Sequence, residues 1–222
     1  MNDVFRYENK MPHCENGNRI GLFGGSFNPP HEGHLLVAKI ALRRLKLDEI
    51  WWMVTPGNLL KDRSGLLPLH ERMRLSAELV DDPRIKITGF EQTIKSYTSI
   101  TTLSYLLAHH RNIRFVWVMG ADSLATFHQW QEWKKIVNTI PIAIIDRPSA
   151  SMSALFSPMA ETFRKFRVKE YDVAALPYKK PPAWGYIHGR RSYASSTGLR
   201  QKNAKECVNV KATENRKHAD FS

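Results

Sequence analysis

Short apolar runs recur along the chain, and amphipathic stretches lie between them. Residues 19–24 (RIGLFG) are apolar after Arg19 and close on glycine, which predicts a buried strand. Residues 33–46 (GHLLVAKIALRRLK) repeat apolar positions at helical spacing, with basic residues on the other side. The run EIWWMVTP from residue 49, stopped by Pro56 and Gly57, predicts a second strand, and 69–80 (LHERMRLSAELV) an amphipathic helix. Residues 84–90 (RIKITGF) alternate as a strand does, and 99–110 read as a helix capped by Thr98 or Ser99. The run 113–120 (IRFVWVMG) is a further strand, followed by a helix over 121–137 and a fifth strand at 141–146 (PIAIID). Beyond Pro148 the pattern weakens, so 150–183 receive no assignment, until WGYIHG at 184–189 reads as one more strand.

Alternation of this kind predicts an α/β fold: a Rossmann-like doubly wound parallel sheet of about five strands with helices on both faces. The domain spans 19–200, between a loose polar N-terminal arm at 1–18 and a polar basic C-terminal tail at 201–222. In such sheets ligands bind beyond the carboxyl ends of the strands, where strand order reverses. The polar oddities of this chain follow strand ends: GGSFNPPHEGH, TPGNLLK, GADS and DRP.

Composition narrows the class. With 222 residues, 42% of them hydrophobic, the chain can bury one ordinary core. It has no apolar run long enough for a membrane span and no apolar stretch near its start that resembles a secretory signal. Its two cysteines, Cys14 and Cys207, form no CxxC, so the expectation is a cytoplasmic protein without a disulfide framework. The net charge is +12, and residues 164–202 are strongly basic, a bias that attracts polyanions. Nucleic acid and nucleoside triphosphate both fit it, as does a solvated basic surface.

The stretch HEGH at 31–34 raises the question of a metal. A zincin places its histidines four apart on one helical face; here they are three apart, after Pro29-Pro30, and no third ligand is signalled. A phosphate site accounts for more of the residues. Gly24 and Gly25 let backbone approach a ligand, a helix starting near Gly33 offers free N–H groups and its positive dipole end, and His31 and His34 can donate to phosphate oxygens. The plain structural alternative is a tight turn with surface histidines.

These residues carry a resemblance. GGSFNPPHEGH is similar to the GGxFxPxHxGH signature of the HxGH nucleotidyltransferase superfamily, and SSTGLR at 195–200 to its second signature, ISSTxIR. Within that superfamily, SYTSITTL (96–103), GADSLATFHQWQEWKKI (120–136) and IDRP (145–148) resemble the nicotinate-nucleotide adenylyltransferases. The chain departs from the patterns at Ala194, Gly198-Leu199 and Ser149.

The resemblance implies adenylyl transfer from ATP to nicotinate mononucleotide, giving deamido-NAD and pyrophosphate. It implies catalytic roles for His31, His34 and Arg200 on the ATP phosphates, with Lys61 as a closing phosphate contact. Gly24, Gly25, Ser26, Phe27, Asp122, Ser195, Ser196 and Thr197 fall on the ATP side, Asp122 toward ribose hydroxyls. Tyr97, Thr98, Trp130 and Arg147 fall on the nicotinate mononucleotide side. Mg2+ is implied by the triphosphate, carried on phosphates and water rather than in a carboxylate cage. Neither nucleic acid nor membrane is an expected partner.

Elementary physics bears on the acceptor. A helix N-terminus at Thr98 is a natural receptor for the nicotinate carboxylate, although Thr98 also serves as a plain N-cap. On a helix over 121–137, Phe127, Trp130 and Trp133 step around the axis by about 60° each, so the three span about 120° and one is free to face a ligand. All three packing in the core is the alternative. Asp122 likewise reads either as a ribose contact or as an N-cap. Three readings of the whole remain open at this point: this enzyme, a relative acting on nicotinamide mononucleotide or phosphopantetheine, and a basic nucleic-acid-binding protein.

Overall fold

The computed structural model describes residues 7–57, 65–146 and 154–189. Among these residues, eight parallel strands form one sheet in the order β1-β4-β3-β2-β5-β6-β8-β7. They are β1 (Tyr7–Glu8), β2 (Arg19–Gly25), β3 (Glu49–Val54), β4 (Ile85–Thr88), β5 (Arg114–Gly120), β6 (Ile142–Ile145), β7 (Arg167–Val168) and β8 (Trp184–Ile187). The doubly wound parallel architecture is the expected one, but the strand count exceeds five. The two-residue strands β1 and β7 are too short to carry a period and form only because a neighbouring edge offers a ladder.

The helices that position the site are α1 (Glu32–Arg44), α2 (Leu69–Leu79), α3 (Phe90–Thr93), α4 (Ser99–His109), α5 (Ala121–Thr126) and α6 (Trp133–Thr139). Successive side chains of a strand point to opposite faces, so each apolar run feeds two cores. Trp51 and Met53 join Leu22, Trp117, Leu103 and Leu106 on the α4–α6 face. Ile50, Trp52 and Val54 join Phe23, Val37, Ile40 and Met73 on the α1–α2 face. Full burial of each such side chain is worth roughly 1.5–3 kcal/mol. Burial on both faces is why these strands read as continuous rather than alternating apolar runs. No helix among the described residues is long and apolar enough to cross a membrane.

Two expectations change. Residues 7–18 are not a loose arm: β1 extends the sheet beside β4, Thr88 Oγ1 donates to Lys10 O at 2.7 Å, and Met11 and Cys14 pack against the core. The stretch 121–137 is not one helix. α5 runs into a 3-10 turn at Phe127–Gln129, the chain extends at Trp130, and Glu132 adopts a left-handed φ of 52° before α6 begins. The rotation argument for its aromatics therefore does not apply.

The basic region is partly structural. Arg167 lies 5.3 Å over the Trp184 ring, and Glu170 binds both Arg44 and His188, at 2.9 and 2.6 Å.

Candidate active site

Strand order reverses between β2 and β5. The two strands pair only as far as Leu22 and Trp117, so their carboxyl ends part and open a crevice. The turn that leaves β2 lines it. Phe27 has a left-handed φ of 45°, which folds its ring inward to 2% exposure, 5.3 Å from Phe23 and 4.5 Å from Trp52. Its side chain is thus core, and any nucleotide contact at Phe27 is through the backbone. The same ring explains Gly25: a Cβ there would lie 3.0 Å from it, and one on Gly24 would lie 3.2 Å from Trp117. The glycines were expected to admit a ligand; in the structure they admit these two rings.

His31 is the N-cap of α1. Its Nδ1 accepts the Gly33 N–H at 3.1 Å, so the neutral ring carries its proton on Nε2. The His34 N–H is bound by His31 O at 2.8 Å. Two first-turn amides expected to face a phosphate are therefore already used, and the donors this helix end offers include the imidazoles themselves. The two rings stack, centroids 3.7 Å apart, and His34 meets the Phe27 ring edge-on at 5.0 Å. Two imidazoles are thereby held side by side at the mouth of the crevice. Among the described residues no group of three or more His, Cys, Asp or Glu is arranged to hold a metal ion.

Beneath this turn lies a residue the sequence reading passed over. Arg72 of α2 is 1% exposed, and its guanidinium donates to Ser26 O, Thr55 O and Leu67 O at 2.7, 2.8 and 2.8 Å. Asn28 adds a second tie, donating to Gly65 O at 2.8 Å and accepting from Leu67 N at 3.1 Å. Together they join the turns after β2 and β3 to the segment entering α2.

On the β5 side, Gly120 rather than Asp122 caps α5, so Asp122 is an exposed first-turn residue at the crevice. Trp117 bridges the two halves: it contacts the Gly24 position and meets Trp130 edge-on, centroids 6.2 Å apart. Phe127 is fully buried, whereas Trp130 and Trp133 are half-buried. At the start of α4, Thr98 is the N-cap, accepting from Thr101 N at 3.4 Å, and Tyr97 beside it is 45% exposed. Asp146, ending β6, is buried and accepts the Tyr186 hydroxyl at 2.7 Å. Lys61, Arg147, Ser195, Ser196, Thr197 and Arg200 lie outside the described residues.

A crevice at the reversal of a parallel sheet, with a glycine-bearing turn and paired histidines beside it, is where doubly wound α/β proteins bind nucleotides. The cytidylyltransferase-like family model matches residues 22–217. Three chains named "Probable nicotinate-nucleotide adenylyltransferase" are close to this one. That of Rhizobium meliloti is 58% identical over 82% of this chain and 96% of its own. That of Rhizobium johnstonii is 56% identical, over 86% and 96%. That of Brucella abortus is 54% identical, over 86% and 99%. The chain belongs to the cytidylyltransferase-like family and, within it, to the nicotinate-nucleotide adenylyltransferases. Among solved structures, the Plasmodium falciparum nicotinic acid mononucleotide adenylyltransferase complexed with NaAD superposes with a TM-score of 0.63 at 20% identity, over 83% of both chains, a likeness of fold.

Proposed function

We propose that this protein transfers the adenylyl group of ATP to nicotinate mononucleotide, in NAD biosynthesis in the cytoplasm. A phosphate oxygen of the mononucleotide attacks the α-phosphorus in line, the new P–O bond forms, the bond to the β-phosphate bridging oxygen breaks, and pyrophosphate leaves. The nucleophile is already anionic, so the work falls to positioning and charge stabilisation rather than to a strong base. Likeness over more than four fifths of this chain, and nearly the whole of the relatives of that name, supports the reaction. The stacked pair His31–His34 at the crevice is the observation in the fold that carries it.

In this reading His31, through Nε2, and His34 meet the charge that shifts onto the leaving pyrophosphate. Arg200 holds the β- and γ-phosphates, Lys61 closes on them, and Ser195, Ser196 and Thr197 supply donors beside the nucleotide. Gly24, Gly25, Ser26 and Phe27 form the turn beneath the phosphates, and Asp122 accepts from ribose hydroxyls. On the acceptor side the α4 terminus at Tyr97–Thr98 receives the nicotinate carboxylate, the half-buried Trp130 stacks on the pyridine ring, and Arg147 binds the same nucleotide. Where Mg2+ accompanies the triphosphate, the phosphates and water would hold it, and it would supply neutralisation of part of the phosphate charge.

The test supplies ATP with nicotinate mononucleotide, nicotinamide mononucleotide or phosphopantetheine, and follows pyrophosphate and dinucleotide. Release with deamido-NAD formed stoichiometrically, and fastest with the nicotinate form, is the expected result. Turnover on phosphopantetheine alone overturns the acceptor assignment. Tight, salt-sensitive oligonucleotide binding that ATP does not displace, with no turnover, points instead to a nucleic-acid-binding protein.

A further inference from the structure

Behind the α4 terminus lies a carboxyl group that the proposed reaction does not use. Glu91, on α3, is 5% exposed. An ionisable side chain is costly to bury unless it is engaged, so its engagement points to what it does. Its backbone carbonyl accepts from Ser96 N at 2.9 Å, and its Oε1 pairs with Thr102 Oγ1 at 2.7 Å. The Thr102 hydroxyl also lies 2.8 Å from Ser96 Oγ and 3.3 Å from Thr98 O, and Ser96 Oγ donates to Thr98 O at 3.2 Å. Ser96 and Thr102 are themselves buried, at 1% and 0% exposure. Glu91 thus holds Ser96 directly through its backbone, and its side chain reaches Ser96 and Thr98 by way of Thr102. Lys95, in that segment, takes a left-handed φ of 51°, a conformation a side chain rarely adopts without such support.

We propose that Glu91 is a positioning residue for the acceptor nucleotide: through Thr102 and Ser96 it holds Tyr97, Thr98 and the first turn of α4 in the shape that receives the nicotinate carboxylate. This rests on the reading of the α4 terminus given above. A hydroxyl has one proton to donate. When Glu91 is ionised, Thr102 spends that proton on the carboxylate, and Thr98 O is left to Ser96. When Glu91 is protonated, it donates to Thr102 Oγ1, and the Thr102 proton is freed for Thr98 O. The ionised form has two hydroxyl protons for the three links from Glu91 through Thr102 and Ser96 to Thr98 O, and protonation supplies the third; Thr98 O keeps the Thr102 N–H at 3.1 Å in either form, and a glutamine at 91 offers both an acceptor and a donor in the same place. Burial pushes the Glu91 carboxyl up to about 7, with the Thr102 hydroxyl pulling the other way, so both forms are present near neutrality.

The experiment compares KM for nicotinate mononucleotide, nicotinamide mononucleotide and ATP, with kcat, in the wild-type protein, Glu91→Ala, Glu91→Gln and Thr102→Val. Glu91→Ala is expected to raise KM for nicotinate mononucleotide about tenfold, with KM for ATP and for the nicotinamide form within about twofold of wild type. Glu91→Gln is expected to restore the wild-type value, and Thr102→Val, which keeps the shape and loses the hydroxyl, to behave as Glu91→Ala does. Should Glu91→Ala fail to fold, Thr102→Val and Glu91→Gln carry the comparison. An unchanged KM in folded Glu91→Ala or Thr102→Val, an equal rise for ATP, or a glutamine variant as impaired as alanine overturns the proposal. A wild-type protein that uses the two mononucleotides equally well overturns the carboxylate-receptor reading itself, whatever the variants do.

Discussion

Arg72→Met removes a buried cation and keeps an apolar side chain of comparable reach. The guanidinium serves three carbonyls, of Ser26, Thr55 and Leu67. An unsatisfied buried carbonyl costs about 1–3 kcal/mol. The three bonds are part-buried, so the lower figure applies. That gives about 3 kcal/mol for the three. Relief of the guanidinium's desolvation, which already lowers its basicity, offsets part of this. The expected net loss of stability is about 1–3 kcal/mol, measurable by urea unfolding followed through tryptophan fluorescence. The larger effect is on function. Three turns at the crevice lose their common anchor, so KM for ATP is expected to rise about tenfold or more. Arg72→Lys separates charge from geometry: one ammonium restores the positive charge but cannot span three carbonyls as the planar fork does, so it is expected to rescue poorly. Wild-type stability and an unchanged KM for ATP in Arg72→Met would mean that the three turns do not depend on this anchor. Full rescue by lysine would assign the effect to charge alone.

Other expectations follow from the same contacts. The folded-state value of Glu91, about 7 against an ordinary 4.5, lies above the unfolded one. Its contribution to stability is therefore complete below 4.5 and lost as pH rises through 7, a decline of about 3 kcal/mol by linkage; thermal unfolding between pH 4.5 and 8 should show this decline in wild type and not in Glu91→Gln. Trp130→Ala should raise KM for nicotinate mononucleotide by roughly tenfold, from the loss of a stacking face worth about 1 kcal/mol and of ordering around it, while KM for ATP changes little; equal effects on both substrates would make Trp130 a packing residue only.

Much of the fold was legible because strands buried on both faces leave unbroken apolar runs. EIWWMV and RFVWVM are nearly pure examples. What escaped depends on contacts distant in sequence. β1 and β7 exist as strands only through their partners. The interruption at Trp130–Glu132 hides inside a stretch whose composition suits a helix, because a left-handed residue that is neither glycine nor asparagine leaves little trace in sequence. The site divides in the same way. His31 and His34 stand out as a spaced pair, but the Nδ1 cap and the stacking of the rings are products of the α1 terminus. Arg72 was invisible because an arginine on an amphipathic helix reads as its wet face; only the structure shows it buried beside Met73, Ser76 and Ala77 of α2. Glu91 was hidden likewise in GFEQT, where nothing marks the glutamate as interior.

In the proposed reaction the imidazole pair at the α1 terminus stabilises charge on the departing pyrophosphate. The most direct measurement is the single-turnover rate of pyrophosphate release from ATP and nicotinate mononucleotide by wild type and by His34→Ala, beside a thermal melt of each. A fall of about 10²–10³-fold with the melt nearly unchanged is expected when a donor to developing charge is removed. A rate within a few-fold of wild type, in a protein that melts normally, would contradict it.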